Sequence, residues 1–85
     1  MKKIFLNIKG KTDPKEIHEQ IAMEFEFPNH YGKNLDALFD CLSTISTPTA
    51  VVAITDPENE YHQKLKTVMD DAQEENIKFG VFWLN

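Results

Sequence analysis

The chain contains no arginine: all nine of its basic residues are lysine. It therefore lacks the planar guanidinium fork that grips a phosphate or carboxylate at two points. Cysteine occurs once, at Cys41, which excludes an internal disulfide and any Cys-x-x-Cys spacing for zinc or redox work. A lone thiol fits a reducing compartment, and the expectation is a cytoplasmic protein. No Gly/Ser linker, low-complexity tail or internal repeat interrupts the chain. Long apolar runs are missing as well, since no stretch approaches the ~20 residues of a membrane span. The opening MKKIFLNIKG regains charge quickly and has no small-residue cleavage site after it, so it reads as a strand rather than a signal peptide.

What is present is enough for one compact domain over residues 1–85, with 41% hydrophobic residues and a modest core. The net charge of -5 is unevenly spread. Residues 34–75 carry nine acids against Lys64 and Lys66, whereas residues 1–33 carry six lysines against five acids. An acidic chain without arginine points away from nucleic acid and towards a basic protein surface as partner.

Alternation of Ile4, Leu6 and Ile8 with Lys3, Phe5 and Asn7 predicts a first strand with one wet face. Asp13 then caps, and Pro14 opens, a helix to about residue 25, with Ile17, Ile21 and Phe25 as its apolar stripe. Pro28, Asn29 and Gly32 interrupt, and Asn34 caps a second helix expected to run to about Ser46. TAVVAIT is a central buried strand, and Asp56-Pro57 repeats the cap-then-proline signal ahead of a helical region to about residue 76. Whether that region is one helix or two, with a break near Lys66 and Thr67, is open. IKFGVFWL is a last strand, with Gly80 as a bulge or close approach. Strands alternating with helices predict an α/β fold with a three-stranded parallel sheet and three to four helices, covering one face better than the other.

On the second helix Leu35, Leu38, Leu42 and Ile45 fall within a sector of about 80°, which assigns them to the core. Asp36, Asp40 and Ser43 point roughly opposite, with Phe39 at the border. Asp36 gains from the helix macrodipole, but Asp40 does not, and like charges at i, i+4 repel. An ordinary solvated face would explain the pair, and so would a docking surface for cations; a catalytic dyad needs a concave site that a convex helix does not offer. Cys41 has no positioned base and reads as a small boundary or core residue, and His18 and His62 have no ligand spacing and read as surface or boundary residues, with no metal, cofactor or catalytic group.

The segment FPNHYGKNLDALFDCLS, with Tyr31, Gly32, Asn34, Leu35, Asp36, Ala37, Leu38, Asp40, Cys41 and Leu42, resembles the barstar family of intracellular inhibitors of barnase-type ribonucleases. The resemblance implies a barstar-like two-layer domain, monomeric when free, that occludes a basic secreted-type ribonuclease's active-site cleft in a 1:1 complex. It carries Asp40 over as the group standing where a substrate phosphate would bind, with Asp36 as its acidic companion. His30, Tyr31, Gly32, Asn34, Phe39 and Ser43 flank them, and Asp71 matches an outlying acid of the last helix. Tyr31 reads equally as a core residue, and Asn34 chiefly as a cap. His30 stands where the family has an aromatic, and an imidazole can turn cationic in mild acid, which a basic cleft would oppose. Phe39 replaces a tryptophan, and Thr44 and Ile45 replace a glycine-tryptophan pair, so the preferred partner is expected to differ. The competing reading is a barstar-fold regulatory domain whose basic partner is not a ribonuclease.

Overall fold

The computed structural model describes residues 1–84. Six elements follow in the order β1 (Lys2–Asn7), α1 (Pro14–Phe25), α2 (Leu35–Ser43), β2 (Thr49–Ile54), α3 (Glu60–Glu75) and β3 (Phe79–Trp83). The sheet is parallel with order β1-β2-β3, so the uncharged β2 is central, as its composition predicts. Three helices suffice, and α3 is one continuous helix without a break at Lys66 and Thr67.

Alternate residues of each strand turn to one face and bury there: Ile4 and Leu6, Val51 and Ala53, Phe79 and Val81. The other face stays open. It aligns Phe5, Val52 and Phe82 in register across all three strands, with Phe5 56% and Phe82 62% exposed. The helices thus form a single layer on one side of the sheet, where Ile17, Ile21, Leu38, Leu42, Leu65 and Met69 complete the core. Within that layer α2 packs mainly on α3. It therefore lies at the flank of the helical layer, which leaves its far side free.

Several local expectations change. Asp13 caps α1, accepting from the Lys15 amide at 3.0 Å. For α3, however, the cap is Asn59, whose Oδ1 accepts from the amides of Tyr61 and His62. Asp56 and Pro57 instead form the turn before it, with the Asn59 amide donating to the Asp56 carbonyl and the Gly10 amide donating to the Asp56 carboxylate. Gly80 sits in unbroken register opposite Ala50, with no bulge. Beside it, Gln73 of α3 accepts from the Val81 amide at 2.9 Å, so a helix side chain covers part of the sheet's edge.

His18 and His62 are corrected from surface to core, at 0% and 1% exposure. The Asp56 amide donates to His62 Nδ1 at 2.9 Å, and His62 Nε2 lies 2.7 Å from the Lys11 carbonyl. An amide can only donate and a carbonyl only accept, so the proton is on Nε2. His62 thereby clips the loop after β1 to the loop after β2.

A candidate docking face on a helix held at both ends

α2 ends at Ser43, about one turn short of the expected Ser46, and both ends are fastened by side chains. At the start, Asn34 Oδ1 accepts from the Ala37 amide at 2.8 Å and Nδ2 donates to the Gly32 carbonyl at 3.3 Å. Space at Gly32 is tight, because a Cβ there would stand 3.2 Å from Ala37 Cβ and 3.4 Å from Asn34 Nδ2, and those neighbours would have to shift. The left-handed turn of the loop falls on the next residue, Lys33, at φ 54°. At the far end, Thr44 Oγ1 donates to the Asp40 carbonyl at 2.8 Å. Asn76, just past α3, donates its Nδ2 to the carbonyls of both Leu42 and Ile45 at 3.0 Å. The last carbonyls of a helix have no intrahelical donor, so one amide from just past α3 bonds one of them, Leu42's, together with the Ile45 carbonyl beyond the helix end.

The expected leucine stripe is only partly buried. Leu38 and Leu42 are fully enclosed, whereas Leu35 and Ile45 lie at the margin of the core. Asp36 and Asp40 are exposed. Among the described residues their carboxylates meet no hydrogen-bond donor, and the two ion pairs, Lys2–Glu26 and Lys33–Glu19, lie elsewhere. Phe39 packs its inner side on the core, and Ser43, half-buried, donates to the Asp40 carbonyl at 3.3 Å. The result is a convex acidic face with an aromatic at its edge.

The approach loop is anchored from beneath. Of the two readings of Tyr31, the structure bears out the core one: it is 7% exposed, its ring centre lies 4.9 Å from that of Phe27, and its hydroxyl meets His18 Nδ1 at 2.7 Å. His18 Nε2 meets the Tyr61 hydroxyl, also at 2.7 Å. One imidazole thus ties the loop ahead of α2 to α1 and α3. Burial lowers the His18 pKa below its ordinary value and raises those of both phenols, so the network is neutral. His30, by contrast, is exposed on the loop.

Asp71 is exposed on α3, while its neighbour Asp70 accepts from Trp83 Nε1 at 2.8 Å. Burial, and then the Asp40 charge, push the Cys41 thiol up, which keeps it protonated and a poor nucleophile at neutral pH. Among the described residues no three His, Cys, Asp or Glu side chains converge to hold a metal ion. No described helix is long and apolar enough to cross a membrane.

The profile of a protein family described as barstar (barnase inhibitor) matches residues 1–84. The chain belongs to the barstar family. Barstars act as ribonuclease inhibitors, not as enzymes. A relative from Bacillus subtilis (strain 168), named "Putative ribonuclease inhibitor YrdF", is 32% identical over 81 residues, which cover 88% of this chain and 89% of that protein. In this barstar, then, the acidic segment that carries the resemblance is also the helix whose two carboxylates bond to no donor among the described residues.

Proposed function

We propose that this barstar is a stoichiometric inhibitor of a barnase-like ribonuclease, acting in the cytoplasm as an immunity protein that binds the nuclease 1:1. One observation carries the reading: Asp36 and Asp40 project from a helix fastened at both ends and meet no cation among the described residues. A ribonuclease cleft must present cations to stabilise a phosphodiester anion. A carboxylate already held in place can stand where the phosphate would, making charge-assisted hydrogen bonds at little ordering cost. Asp40 has this role, and Asp36 adds charge beside it. His30 and the backbone of Gly32 line the approach, Phe39 contributes apolar contact at the edge, and Ser43 closes the far side. Tyr31 and Asn34 serve by holding the loop and the helix start.

Titrating barnase, and the ribonucleases secreted by the native cell, with this protein tests the reading. A sharp 1:1 endpoint with loss of RNA cleavage is expected. Capture of a basic protein from the same cell, with no ribonuclease inhibited, would favour a regulatory domain on the same fold.

A further inference from the structure

Between Lys15 and Lys64 the chain has a single basic residue, Lys33, and it stands in the loop that leads into α2. Local physics gives little reason for a lysine there. Its φ of 54° is a left-handed conformation that non-glycine residues seldom adopt. A cation just ahead of a helix N-terminus also opposes the macrodipole. Its ammonium lies 3.4 Å from Glu19 of α1, but the two side chains are 44% and 47% exposed, and an open pair of this kind contributes little to stability. The same residues rim a shallow cleft between α1 and the loop, bordered by Met23 and Phe27, so the pair is open to an arriving surface.

The other charged side chains of the segment from Pro28 to Ser46 are Asp36 and Asp40. A surface that attracts cations through those acids repels them at Lys33 unless that charge is answered. In the free protein, Glu19 answers it.

We propose that Lys33 is a specificity residue of the docking face: it favours a ribonuclease that sets a carboxylate against the loop and penalises one whose cleft rim is basic throughout. This rests on the reading of α2 as the nuclease-binding helix. Glu19 is the counter-ion that Lys33 keeps until the partner arrives. Charges at the margin of an interface act mainly on association rate and salt dependence, so that is where the effect falls.

The probe is barnase, with the native cell's secreted ribonucleases as a second set, and association rates are measured at low and high salt. Three proteins are compared with wild type: Lys33→Gln, the swapped pair Glu19→Lys with Lys33→Glu, and Asp40→Ala as the control for the underlying reading. The swap keeps the net charge and the ion pair while reversing the charge on the loop. Against a basic rim it is expected to associate roughly 3- to 10-fold faster at low salt, with the gain shrinking at high salt. Lys33→Gln should move in the same direction by less. A residue that merely ties the loop to α1 behaves otherwise, for Lys33→Gln would then lower the melting temperature and the swap would restore it, with rates unchanged. Rates within twofold of wild type in both variants, or shifts of opposite sign, overturn the assignment while Asp40→Ala still loses binding. If wild type inhibits none of the ribonucleases, the underlying reading fails, and the role of Lys33 fails with it.

Discussion

α2 and α3 lie side by side and both carry acids, yet they use them differently. α3 is sixteen residues long, buries His62, Leu65, Met69 and Ala72, and turns Asp70 back onto Trp83, whose ring also faces the Lys66 ammonium at 5.5 Å. α2 has nine residues, buries only Leu38 and Leu42, and turns neither of its aspartates back. A nine-residue helix is marginal by itself, so its position depends on bonds supplied by Asn34, Thr44 and Asn76. Because these do the fastening, no carboxylate is needed for it. A charge is free for a partner when other groups have already fixed the element that bears it.

The largest expected effect breaks this contrast directly. Asp40→Ala should cost ~2 to 5 kcal/mol or more in nuclease binding, the general scale for truncating one partner of a desolvated charge pair, for which the barnase–barstar complex is itself a source. Thermal melts of the same variant should match wild type. Asp70→Ala is its counterpart, expected to cost ~1 kcal/mol of stability through the lost Trp83 bond while leaving inhibition intact.

Asn76→Ala tests the fastening itself. With the Ile45 carbonyl deprived of the Asn76 amide and the Leu42 carbonyl left only its backbone donors, denaturant unfolding should show a loss of ~1 to 3 kcal/mol, and inhibition should weaken although the acids are untouched. Unchanged binding would show that the end of α2 needs no such tie.

The loop anchor gives a pH dependence whose sign follows from the pKa directions. The folded chain holds His18 neutral and below its ordinary 6.5. As pH falls below 6.5 the unfolded chain takes up a proton that the folded chain resists, so this stability is full above 6.5 and is lost on acidification through the folded value. The raised phenols of Tyr31 and Tyr61 give the opposite limb, with stability lost as pH rises past 10. Melting temperature against pH should bend in these windows, and His18→Leu, although less stable at every pH, should lack the acid bend.

The smallest effect is expected at Asp71, whose side chain is solvated and distant in sequence from α2. Asp71→Asn should slow association about twofold at low salt and not measurably at high salt. An effect on dissociation instead would make Asp71 a direct contact.

Much of this was legible because it is periodic. Strand alternation, the stripe of α1 and the opposition of Asp36 and Asp40 to Leu38 and Leu42 are one-dimensional patterns. The two histidines were missed although the signal was there: around α1, His18 falls only about 20° from Phe25, and around α3, His62 falls about 20° from Met69. Polarity masked their position, since a buried imidazole is unremarkable only once its partners are known. Asn76 gave no comparable sign. An asparagine beyond a helix ordinarily ends that helix, and nothing local says that its amide also bonds carbonyls at the end of another helix, as far as 34 residues earlier.

Legible in the amino-acid order alone are the α/β succession, the central place of β2, the apolar side of each helix and the segment that carries the family. These follow from hydrophobic period and local capping, which neighbouring residues settle among themselves. Where α2 stops, which partners hold Tyr31 in the core, and that Lys33 answers to Glu19 emerge from the folded chain. Each depends on a donor or acceptor from a distant element, and the energy of such a bond exists only once the chain has brought the two together.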